Sequence, residues 1–191
     1  RVADGVRLST NNSYFSDVAQ LLFYNNGNRL MRIGDYVKWF DATELAELSE
    51  EGFDNYTSAT NGMLSVDGET AYVLTANDIS HIDTNTMQPR HEETYRVNSY
   101  DCADFRKTAD IVATGSDQGD ISFYDVTHRF RIKTVNIQDE PITCLAFSPD
   151  GQHIALTTGE DIKVIRVNLD DYLNTVSTIR SEFDHIQQSE E

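Results

Sequence analysis

Two stretches of this chain repeat one another, and that repeat limits what the chain can fold into more than any other feature. Asp101-Cys102-Ala103-Asp104-Phe105 precedes Ile111-Val112-Ala113-Thr114-Gly115-Ser116, then Asp120-Ile121-Ser122-Phe123-Tyr124-Asp125. Thr143-Cys144-Leu145-Ala146-Phe147 precedes Ile154-Ala155-Leu156-Thr157-Thr158-Gly159, then Asp161-Ile162-Lys163-Val164-Ile165-Arg166. Cys102 and Cys144 stand 42 residues apart, and so do Phe105 and Phe147. The beat runs backwards too: Leu64 lies 41 residues before Phe105, and Phe23 another 41 before Leu64. Asp41, Asp83 and Asp125 keep a spacing of 42. Periods in this range belong to propeller blades or solenoid units, where one repeat cannot bury its own faces and stacks on its neighbours.

Within each copy a β-branched or aromatic run meets a Gly- or Asp-containing turn, followed by a second and a third short run. That is a meander of antiparallel strands. Strands are expected at 18–24, 30–33 and 36–40 in the first copy, and at 59–64, 71–75, 79–82 and 93–97 in the second. The third copy's outer strand is expected at 130–135.

Residues 111–125 resemble the WD40-repeat family, with Tyr124-Asp125 where that family usually has Trp-Asp. Phe40-Asp41 and Ile82-Asp83 hold the same place in earlier copies, and Ser148-Pro149-Asp150-Gly151 is similar to the family's usual first turn. The resemblance covers residues 16–168. It departs from the family in three ways: no copy has the Gly-His dipeptide, Gln118 replaces the turn aspartate, and Arg166-Val167 stands where Trp-Asp would in the last copy. The resemblance implies an all-β propeller of four-stranded antiparallel blades. It also implies a non-catalytic scaffold or adaptor that mediates protein–protein interactions within a larger intracellular complex, without a cofactor.

The expected organisation is a lead-in at 1–15, with a strand at 6–9 from a preceding blade, then blades at 16–56, 57–97, 98–138 and 139–180, and an acidic tail at 181–191. All belong to one domain. Asp41 and Glu44 have the spacing of a capping box, Leu45 and Leu48 follow on one face, and Gly52 stops the run. A short helix is therefore expected over 41–51, inserted in the first blade. Trp39 sits one residue before the usual tryptophan position. Alternation turns it to the opposite face, as an inter-blade packing residue or an exposed anchor. After Asn168, Leu169, Tyr172, Val176, Ile179, Phe183 and Ile186 are spaced 3, 4, 3, 4 and 3, an amphipathic helical stripe. The β-branched run 175–179 also reads as the last blade's outer strand, with a helical tail from Ser181. Trp39, Leu45, Leu48, Tyr172, Val176, Phe183 and Ile186 are the candidate protein-binding residues.

A net charge of -17 over 191 residues disfavours nucleic acid through the bulk surface and anionic membrane, and favours partners with basic surfaces or tails. Solubility alone is an equal reason for such acidity. Two cysteines make no disulfide framework, and within apolar runs they read as two buried free thiols suited to a reducing compartment. His81, His91, His128, His153 and His185 show no metal-ligand spacing. Gly115-Ser116-Asp117-Gln118-Gly119 reads as a hairpin turn, not a phosphate cradle. The turn acids Asp117, Asp120, Asp139, Glu140, Glu160 and Asp161 lack the spaced loop of a calcium site. A propeller enzyme or ligand-binding domain, with a metal or small molecule in the central channel, is the alternative reading. Propellers close with about four to eight blades. Four visible copies leave three arrangements open: the C-terminal part of a longer propeller, which the strand at 6–9 and the opening Arg1 favour, a ring completed by a partner, or a tight four-bladed ring.

Overall fold

In the computed structural model of this chain, the described residues are 18–34, 36–48, 59–75, 77–90, 94–98, 100–169 and 172. They form β-sheets, each an antiparallel meander in chain order. The first blade is β1 (Val18–Tyr24), β2 (Arg29–Gly34) and β3 (Lys38–Asp41). The second is β4 (Asn61–Leu64), β5 (Thr70–Leu74), β6 (Asp78–Asp83) and β7 (Tyr95–Arg96). The third is β8 (Cys102–Arg106), β9 (Ile111–Gly115), β10 (Asp120–Asp125) and β11 (Phe130–Asn136). The fourth is β12 (Ile142–Phe147), β13 (His153–Thr158) and β14 (Asp161–Arg166).

Successive side chains point to opposite faces of a strand, and the middle strands β5 and β9 are buried at every position, so both faces of those blades are covered and the core lies between blades. Met31, Ile33 and Trp39 of the first blade pack on Ala71, Val73 and Ile82 of the second. Tyr72, Leu74 and Ile79 of the second meet Phe105, Val112 and Tyr124 of the third. Ile121 and Phe123 of the third meet Ile142, Leu145, Ile154 and Leu156 of the fourth. Hydrogen bonds between the innermost strands β1, β4, β8 and β12 link the blades at one repeat's separation. Gly62 N–H donates to Gln20 Oε1 (2.6 Å), Asn61 Nδ2 to Ala103 O (2.8 Å) and Phe147 N–H to Asp104 Oδ2 (2.7 Å). Each bond satisfies a backbone group that no neighbouring strand reaches.

The phased aspartates have a structural cause. Asp41 Oδ1 accepts from the N–H groups of Thr43 and Glu44, and Asp83 Oδ1 from those of Asn85 and Thr86. Asp125 Oδ1 accepts from His128 N–H (2.7 Å). Four residues after each aspartate the backbone turns left-handed, at Leu45 (φ 55), Met87 (φ 58) and Arg129 (φ 62). This corrects the helix expected over 41–51. Asp41 does cap a turn, but Leu45 ends it at once. Ala46 O then accepts from Asp41 N–H, Leu48 N–H donates to Trp39 O, and Glu47 bridges back to Phe40. No helix lies within 41–48.

Candidate interaction surfaces

The first blade's β1–β2 turn reverses through Asn25, Asn26 and Gly27, all with positive φ. In the second blade, Ser65 Oγ donates to Asp67, whose carboxylate accepts Glu69 N–H (2.9 Å), and Thr70 N–H returns to Ser65 Oγ (3.0 Å). Ser148 and Asp150 build the same turn in the fourth blade, holding Gln152 and His153. Between the first two turns lies a groove of about 560 Å³, lined by Tyr24, Arg29, Val66, Asp67, Glu69 and Asn85 among others. Its floor is rigid. Val66 N–H donates to Asp110 Oδ1 of the third blade (3.0 Å), and Asp110 Oδ2 takes the hydroxyls of Tyr72 (3.3 Å) and Thr127 (3.0 Å). The Ser65 hydroxyl and Glu69 N–H hold the Asp67 carboxyl below the usual carboxylate range, so it is ionised at neutral pH. The mouth presents Val66, 68% exposed, beside Asp67 and Glu69.

A second polar cluster sits at the outer side of the third blade around the buried Asp125. Its carboxylate accepts from His128 N–H and faces His128 Nδ1 (3.0 Å). It also accepts from the Tyr172 hydroxyl (3.0 Å), whose ring stands edge-on to Phe130 at 5.8 Å. Burial, then the neighbouring Asp125 charge, push the Tyr172 phenol up, so it remains a donor at neutral pH.

Of the candidate binding residues, Trp39 is fully buried between the first and second blades, which is the packing alternative. Leu45 is half-buried in the Asp41 turn, and Leu48 is exposed beside it. Tyr172 reaches the third blade. Val176, Phe183 and Ile186 lie outside the described residues, as do the strand expected at 6–9, that at 175–179 and the helical tail. The cysteines differ from expectation: both are free, but Cys102 is half-buried and Cys144 exposed. Burial, reinforced by the neighbouring Cys144, pushes the Cys102 thiol up to about 11. Among the described residues no three or more His, Cys, Asp or Glu side chains converge as metal ligands, and no helix is long and apolar enough to cross a membrane. Sequence reasoning missed the groove between the first two blades. Its only sequence signal was that Ser65-Val66-Asp67-Gly68 matches Ser148-Pro149-Asp150-Gly151.

A family model, the WD domain or G-beta repeat, matches residues 131–165. That window opens in β11 and runs to β14, so the sequence repeat starts on the outer strand of one blade and ends inside the next. Residues 131–165 thus carry a WD40 repeat, on blades of β-propeller form. No curated protein matches it by sequence. Solved structures share the fold. Kuenenia stuttgartiensis hydrazine synthase matches at 14% identity with a TM-score of 0.62, over 82% of this chain and 49% of that one. The beta-propeller domain of Cps50 (Swd1) from Myceliophteria thermophila matches at 14% identity and 0.64, over 82% and 54%. A chain of the mitotic checkpoint complex matches at 15% identity and 0.64, over 81% and 50%. The chain thus spans about half the length of these structures.

Proposed function

We propose that this WD40 protein is a non-catalytic scaffold of an intracellular multiprotein assembly, and that the groove between its first two blades takes a basic segment of a partner. The observation that carries the reading is the groove itself. Turns closed by their own side chains hold Asp67 and Glu69 beside the exposed Val66, in a chain of net charge -17. A preorganised acidic surface loses little entropy on binding and steers a cationic partner towards it. Two of the structural neighbours are a Swd1 propeller and a chain of the mitotic checkpoint complex, which agrees with a scaffold. The fold also occurs in hydrazine synthase, so function is argued from the site and not from the fold.

The test is fluorescence anisotropy with a labelled lysine-rich dodecapeptide and a neutral peptide of the same length. The lysine peptide should bind, weaken several-fold as salt rises from about 50 to 300 mM, and weaken further against Glu69→Lys. Equal binding of the neutral peptide, or indifference to both salt and Glu69→Lys, contradicts the reading.

A further inference from the structure

The sheet faces at the two ends of the blade series carry the residue types that are sealed inside it. Strand register makes Ile162 and Val164 of β14 the counterparts of Ile121 and Phe123 of β10. Ile121 opposes Gly115 and Phe123 opposes Ala113, as Ile162 opposes Thr157 and Val164 opposes Ala155. Val37 and Trp39 hold these two positions in the first blade, and Ile79 and His81 in the second. All six internal side chains are between 0% and 3% exposed, because the next blade covers them, whereas Ile162 and Val164 are 76% and 67% exposed. At the other end, Leu21 and Phe23 of β1 match Leu145 and Phe147 of β12. Leu145 is 5% exposed against the third blade, but Leu21 and Phe23 are 56% and 65% exposed. Apolar faces of this kind mark a contact surface.

We infer that a second copy of this chain covers both faces. Ile162 and Val164 of one copy pack on Leu21 and Phe23 of the other, twice, and two four-bladed arcs close one eight-bladed ring. Two observations favour this occupant. One chain carries both halves of the junction, and each half repeats an interface already made three times within it. The described residues form four blades, half of an eight-bladed ring, within the about four to eight blades that propellers use. A head-to-tail contact that closes at two copies leaves no growing end. The net charge of -17 on each copy opposes the union, and salt therefore strengthens it.

Sedimentation equilibrium of the full chain tests the ring. In about 0.5 M salt the mass is expected at twice the 21.6 kDa of one chain, with at least tenfold weaker association in about 50 mM. Ile162→Asp and Phe23→Glu should each give the one-chain mass with an unchanged circular dichroism spectrum, since both side chains are exposed in the single arc. An equimolar mixture of the two variants should recover a two-copy species. It restores one junction that is wild type on both sides, which face-to-same-face pairing does not. A wild-type chain that stays at 21.6 kDa overturns the inference. So do an open-ended polymer, loss of association in only one variant, or a mixture that stays monomeric. The ring does not depend on the scaffold reading.

Discussion

At the scale of single residues, the most telling are the aspartates that end the third strand of each of the first three blades. Asp83 is held well below the usual carboxylate range, at about 2, by the Thr86 N–H first and then by Arg90, whose Nη2 lies 2.8 Å away. An unfolded aspartate titrates near ~3.9. A carboxyl depressed on folding contributes stability that is complete above the unfolded value and is lost as pH falls through the folded one. Wild type should therefore exceed Asp83→Asn in urea midpoint at pH 5, and the gap should close between about pH 4 and pH 2. A gap that is constant with pH would show that the charge is irrelevant. Asp125 is more buried and holds His128 and Tyr172 as well as its turn. Asp125→Ala should cost about 2–3 kcal/mol in urea denaturation, against ~1 kcal/mol for loss of a more exposed turn cap. Equal costs would contradict the burial argument. The aspartates were legible as a beat in the sequence, but the Tyr172 partner of Asp125 was not, since it comes from 47 residues away and meets the carboxylate only in the folded chain.

Among the elements, the turns show where local pattern and repeat disagree. Asp41 and Glu44 have the spacing of a helix start, yet Asp83 and Asp125 stand in phase with Asp41, and the three build one kind of turn. The period was the better guide because the left-handed Leu45 and the bridge from Glu47 back to Phe40 close a short hairpin that overrides a one-turn capping signal. The strands themselves were readable as short β-branched and aromatic runs between turn residues, since blades covered on both faces need buried side chains at successive positions. The β9–β10 turn shows the cost of such close stacking. Gly119 has φ 76, and a Cβ there would lie 1.8 Å from Gln138 O in the link between the third and fourth blades. Gly27 has φ 82 with nothing within 4 Å. Gly27→Ala should cost ~1 kcal/mol, the left-handed penalty alone, and Gly119→Ala about 3 kcal/mol or more. Thermal or urea unfolding that ranks them equally would mean the link yields to the added carbon.

At the scale of the whole molecule, the blade series was visible in the sequence, but the state of its ends was not. Ile162 and Val164 alternate with polar neighbours just as Ile121 and Phe123 do, and the pattern is the same whether or not another sheet lies against it. Cys144 was expected to be buried for the same reason. It matches Cys102, but it belongs to the fourth blade, where among the described residues no following sheet covers it. The groove was hidden because it is made between turns of two blades, and neither turn alone is concave.

The central claim is that neighbours on both sides seal the second and third blades, whose middle strands β5 and β9 are buried at every position. Hydrogen exchange resolved by peptide tests this most directly. Amides of β5 and β9 should be the last to exchange, together and at the rate of global unfolding, with β1 well ahead of them. If β5 or β9 exchanges along with β1, the blades do not seal one another and the account fails.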